Sequence, residues 1–145
     1  MCPPETMGTG AALQPRSTVL IRLPQRIQRP RRKRAPLPEG AVYVGRPTIW
    51  GNPFMGRPGI GHARGVILHA KWLEGRIGAH MLENMHFSLG EIEAMDRLRA
   101  RVLHRLPDLA GKDLACWCPL TSAWCHAATL LELANHPSCS ERIAA

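Results

Sequence analysis

The spacing of apolar positions changes along this chain, and each change marks an element. Ala41-Val-Tyr-Val-Gly45 is a β-branched and aromatic run closed by glycine, the pattern of a short strand. Gln25–Arg29, between Pro24 and Pro30, is a second extended segment, and Thr18–Leu23 a third. From His62 to Glu74 the period becomes helical, with Ala63, Val66, Ile67, Ala70 and Leu73 on one face. Trp72 reads as core and His69 as a surface residue of that helix. Gly75 and Gly78 then loosen the chain. Ser88 and Glu91 form the S-x-x-E signature of a capping box. The helix behind it places Ile92, Met95, Leu98, Val102 and Leu103 at helical spacing and closes at Pro107 and Gly111. Asp113–Trp117 is apolar enough for a buried strand. His126–Asn135 follows as a third helix, with Ala127, Leu130, Leu131 and Ala134 inward. The order β-β-α-α-β-α predicts a small single α/β domain, a short central sheet with helices packed on it. In such sheets ligands sit beyond the carboxyl ends of the strands.

Size and composition narrow the class. The 145 residues suit one domain. A globule of this size buries roughly 68–70% of its unfolded surface, so it needs no disulfides. Residues 1–24 read as a disordered or extension segment, with Met7 offering another start, 25–136 as the domain, and 137–145 as a tail. No apolar run is long enough to span a bilayer, and the N-terminus lacks the pattern of a signal peptide. The expectation is a cytoplasmic protein without a membrane partner. The five cysteines are odd in number and bunched, unlike a secreted disulfide framework.

Charge adds a candidate partner. Of the net +8, residues 1–40 carry +6, from eight basic groups against Glu5 and Glu39. Such a stretch attracts polyanions, which points to a nucleotide or nucleic acid. A solvated basic loop accounts for the same charge.

Two segments carry chemistry. In Leu114-Ala-Cys-Trp-Cys-Pro-Leu-Thr-Ser-Ala-Trp-Cys-His126, Cys116 and Cys118 share a face if the strand persists, and the loop returns Cys125 and His126 at a helix start. Three chemistries fit. Cys116, Cys118, Cys125 and His126 are the residue types of a Cys3His zinc site, although the spacing is not that of a standard knuckle. Alternatively, Cys125 or Cys118 is a thiolate nucleophile, activated at the helix N-terminus with His126 as acid or base. In the third reading the helix N-terminus holds an anion and the thiols merely pack.

The loop Arg46-Pro-Thr-Ile-Trp-Gly-Asn-Pro-Phe54 leaves the end of another strand. Arg46 offers a fork for phosphate, Trp50 a stacking face, and Asn52 a donor and an acceptor for a base edge. Gly51 lets the backbone turn. Arg26 and Arg29 add basic groups on the neighbouring strand. A rigid loop with Trp50 as a plug is the plainer alternative.

Together these strings resemble a family. RIQR at 26–29, PEGAVYVGRPTIWGNPF at 38–54, KWL at 71–73, GKDLACWCPL at 111–120 and CHAATLLELAN at 125–135 are similar to the domain-of-unknown-function family numbered 4326. The resemblance spans about residues 25–135 and implies a bacterial or phage origin. It carries over onto Arg46, Trp50, Gly51, Asn52, Pro53 and Phe54, and onto Cys116, Trp117, Cys118, Cys125 and His126. The chain departs from the family pattern at three places. Arg34-Ala35 stand where Gly-Trp is usual, His69 where an aromatic is usual, and Ala128 where an acid is usual. The expected function is therefore binding of, or action on, a nucleotide, nucleobase or nucleic acid. The alternatives are a zinc-stabilised interaction module and a thiol enzyme.

Overall fold

The computed structural model describes residues 23–136 apart from Lys33. Among them are three strands, β1 (Arg26–Gln28), β2 (Val42–Tyr43) and β3 (Leu114–Cys116). Their order in the sheet is β1-β3-β2, and both pairings are parallel. All of β3 is buried, because it has a neighbour on each edge. Such a strand reads as a continuous apolar run rather than an alternation. The ladder sets Gln28 beside Cys116 and Tyr43 beside Ala115. It extends past both edge strands: the Arg29 amide donates to the Cys116 carbonyl at 2.7 Å, and the Val44 amide to Ala115 at 2.9 Å. Parallel strands deliver their carboxyl ends to one edge, so residues after Gln28, Tyr43 and Cys116 emerge together.

Three helices lie between β2 and β3: α1 (His62–Leu73), α2 (Ala79–Asn84) and α3 (Leu89–Arg105), followed by a 3-10 turn, Leu106–Leu109. α4 (His126–Asn135) comes after β3 and packs on β3, β1 and the 3-10 turn. The fold is α/β as expected, with one helix more than the periodicity predicts. Gly75 and Gly78 punctuate rather than loosen. Gly75, at φ 75°, closes α1: its amide donates to Trp72, and that of Arg76 to Lys71. This is the bonding of a Schellman cap. Gly78 is the N-cap of α2, which buries Leu82.

The face of α1 also differs. Ile67 is 39% exposed, whereas Leu68, His69, Trp72 and Leu73 are buried. The larger side chains of that second stripe bury more apolar area than Ala63 and Ala70, so they decide the rotation. Trp72 is core as expected, and His69 is inside, not at the surface. α3 begins at the expected capping box, with Ser88 and Glu91 exchanging side-chain and backbone hydrogen bonds. Its inner face is Ile92, Met95 and Val102, with Leu98 and Leu103 half-buried. On α4, Leu133 joins Ala127, Leu130 and Ala134 inside, and Leu131 is half-buried.

The loop after β2 is held from both sides. Arg57 pairs with Glu91 at 2.7 Å, donates to the His86 carbonyl, and lies 3.8 Å from the centre of the Phe87 ring. Asn52 donates to the Gly65 carbonyl in α1. Arg34 has φ 61°, a left-handed conformation that favours glycine, the residue the family resemblance implies there. The segment 18–22, most of the N-terminal extension and the tail lie outside the described residues.

Candidate functional site

The two segments singled out by sequence meet at the carboxyl edge of the sheet. A cleft of about 200 Å³ there is bordered by Gly45, Arg46, Asn52 and Met55 on one side. Cys116, Trp117, Cys118 and His126 border the other, with His62 and Val66 from α1 between them. Among the described residues, no carboxylate lines it.

β3 carries Cys116 to this edge, and the chain bends immediately afterwards, so Cys118 comes from the bend and not from the strand. Cys125 is the N-cap of α4. The sulfurs of Cys116, Cys118 and Cys125 all lie within 4.8 Å of one another, and those of Cys116 and Cys125 are 2.9 Å apart. Hydrogen bonding from Cys116 is the main force that lowers the pKa of Cys125; His126, Arg26 and the Ala127 amide add to it. Cys116 is pushed up, first by its hydrogen bond to Cys125 and then by burial. Cys118 is pushed up by burial and by the neighbouring sulfur charge. The surroundings thus favour negative charge on Cys125 over Cys116 and Cys118.

His126 lies outside the group of three converging sulfurs, so the expected fourth ligand is not among them, but its side chain hydrogen-bonds the Cys125 sulfur. Its Nε2 donates to the Val44 carbonyl at 2.7 Å, and its ring meets that of His69 edge-on at 5.6 Å. The bond to Val44 ties the start of α4 to the end of β2.

Arg26 serves the same loop instead of a solvent ligand. Its Nη2 donates to the Leu120 and Ser122 carbonyls at 2.9 and 3.1 Å. Nη1 is buried and makes no well-formed hydrogen bond, yet the guanidinium is close enough to Cys125 for the sulfur to raise its pKa.

The loop 46–54 divides between structure and site. Trp50 is 5% exposed, so its ring is core and offers no stacking face. Asn52 is buried too: Nδ2 donates to Gly65, and Oδ1 accepts from the Phe54 amide at 2.9 Å. Both ends make hydrogen bonds within the protein, although Asn52 still borders the cleft. A β-carbon at Gly51 would lie 2.7 Å from Arg46 Cγ, so glycine there lets the Arg46 side chain fold along the loop. Arg46 is exposed; its guanidinium donates to the Met55 carbonyl at 3.3 Å, and its own carbonyl accepts from the Tyr43 hydroxyl. It remains the anion-binding candidate.

The exposed aromatic at the cleft wall is Trp117, 47% exposed. Arg29 lies 5.1 Å from the centre of its ring and 4.2 Å from that of Tyr43, and the two rings meet edge-on. The family resemblance carries over onto Trp117, but the residue pattern places it at the end of a buried strand, and Tyr43 is not singled out. A signal was available: between two cysteines that face inward, the middle residue of an extended segment faces the other way.

Fold and site together define a small parallel α/β domain with a cysteine cluster at its strand ends. The chain belongs to the family described as Domain of unknown function (DUF4326), whose model matches residues 27–136. That span includes both halves of the site. No curated protein and no solved structure shows a significant match. No helix among the described residues is long and apolar enough to cross a membrane.

Proposed function

We propose that the cleft binds a nucleotide or the nucleobase of a nucleic-acid strand. The observation that carries this reading is the wall itself: an exposed indole and an exposed guanidinium face a cleft that no carboxylate lines. A flat ring with an attached anion matches that combination. The volume, about 200 Å³, is below the roughly 300–1,000 Å³ of typical small-molecule sites. It suits a base, leaving sugar and phosphate outside against Arg46. Arg29, Arg31, Arg32 and Arg34 supply further positive charge from the segment after β1.

Titration of the intrinsic tryptophan fluorescence with mononucleotides and short single strands tests this. Saturable binding that weakens with added salt is expected. Trp117→Ala and Arg46→Ala should each weaken it by about tenfold, in line with roughly 1–3 kcal/mol for a stacked base. No saturable response to any base at low salt would sink the proposal.

A further inference from the structure

The cysteine cluster has an arrangement that packing alone does not require. Buried thiols behave as small hydrophobes and gain nothing from converging on one point. Here three do, brought from β3, the bend after it and the N-cap of α4. Among the described residues they form a group that could hold a metal ion, each offering one sulfur within 4.8 Å of the others. In a tetrahedral zinc site, Zn–S distances of about 2.3 Å place the sulfurs about 3.8 Å apart. The 2.9 Å between Cys116 and Cys125 must open by about 1 Å to meet this, a side-chain adjustment.

The surroundings suit an ion as well. The Cys118 amide hydrogen-bonds the Cys116 sulfur, and the Ala127 amide the Cys125 sulfur. Outer contacts of this kind orient metal ligands. Three thiolates around a divalent ion leave one negative charge, and Arg26 brings one positive charge to Cys125. His126 is anchored on Val44 through Nε2 and hydrogen-bonds the Cys125 sulfur, but it is not among the groups that converge within 4.8 Å. The protein thus supplies three ligands, the number typical of zinc sites that keep an open position. Cys116 and Cys118 also border the cleft.

We propose that Cys116, Cys118 and Cys125 bind one zinc ion whose fourth coordination position opens on the cleft. The ion would anchor the loop 118–125 to β3 and present a Lewis-acidic site to whatever occupies the cleft. The site does not depend on the occupant being a nucleotide.

The full chain, purified reduced and without chelator, is analysed for metal and then reconstituted with cobalt as a spectroscopic probe. One zinc per chain is expected. The cobalt form should show an intense near-ultraviolet thiolate charge-transfer band and tetrahedral visible bands. The visible bands should shift when azide is added, because the fourth position is accessible. Cys118→Ser should lose most of the charge-transfer intensity, and His126→Gln should keep it. Less than about a tenth of an equivalent of zinc together with no cobalt spectrum overturns the site. A Cys116–Cys125 disulfide recovered from reduced, freshly purified protein does so too. Loss of the band in a natively folded His126→Gln protein, judged by circular dichroism, overturns the three-sulfur assignment. Visible bands indifferent to azide overturn the open position.

Discussion

His69 is a polar residue in an apolar place. It is 1% exposed, packs on Trp72, meets His126 edge-on, and its Nδ1 has no hydrogen-bond partner. Burial, with a smaller contribution from His126, lowers its pKa from 6.5 to about 3. The unfolded chain takes up a proton here near pH 6.5, and the folded chain does so only near pH 3. Acid therefore favours the unfolded state. The stability tied to this residue is complete above about pH 6.5 and falls by about 1.4 kcal/mol per pH unit as pH drops towards 3. His69→Phe keeps the ring packing and removes the titration. Thermal melts should show the variant's advantage over the parent growing from about pH 7 to about pH 5. Parallel acid slopes for the two proteins would contradict this account. Sequence reading placed His69 outside because periodicity ranks positions by hydrophobicity, and a histidine scores as polar. The two tryptophans show a related limit: Trp50 and Trp117 have the same side chain, and only their neighbours make one core and the other a platform.

At the scale of elements, features whose signal lies within four residues were legible. The capping box at Ser88–Glu91 is the clearest, since both of its hydrogen bonds link residues three apart. Ser88→Ala leaves the Glu91 amide without its side-chain acceptor and should cost about 1 kcal/mol. Urea denaturation should show a lower midpoint with an unchanged slope. An unaltered midpoint would mean that Arg57, which also holds Glu91, fixes the start of α3 without the serine. α2 was missed although its flanking glycines were noticed. Glycine marks a cap or a flexible link with equal ease, and only the bonds around Gly75 distinguish the two. The contacts that hold the chain after β2, Asn52 to Gly65 in α1 and Arg57 to Glu91 in α3, were not legible, because both partners are distant in sequence.

Across the whole molecule one apolar cluster runs from Val44 and Phe54 through Trp72, Ile92 and Leu106 to Leu114 and Leu130. Leu114 sits at its centre, fully buried on the strand that both other strands flank. Leu114→Ala removes buried methyl groups where neither edge can collapse inward, and should cost about 2–5 kcal/mol. Tryptophan fluorescence and far-ultraviolet circular dichroism should report the same lowered unfolding midpoint. Separate midpoints would show that the sheet edge and the helices unfold independently. The cleft depends on this cohesion, because its walls come from the chain after β2, α1, the end of β3 with the bend after it, and α4, and no single element contains it.

The sequence by itself determined the class of fold, the positions of β1, β2, β3, α1, α3 and α4, and the two segments that form the site. Each of these rests on local chemistry: period, β-branched composition, a cap, a Pro or Gly break. Tertiary structure decided which side chains of those segments are available. Parallel pairing to β3 brought residues after Tyr43 and Cys116 to one edge. Burial put Trp50 in the core, committed Asn52 to hydrogen bonds at the cleft edge and left Trp117 exposed. The Val44 carbonyl anchored His126, and three sulfurs converged beside it. These outcomes depend on what lies across space from each residue, and a side chain's neighbours in the fold are set by packing between segments far apart in the chain.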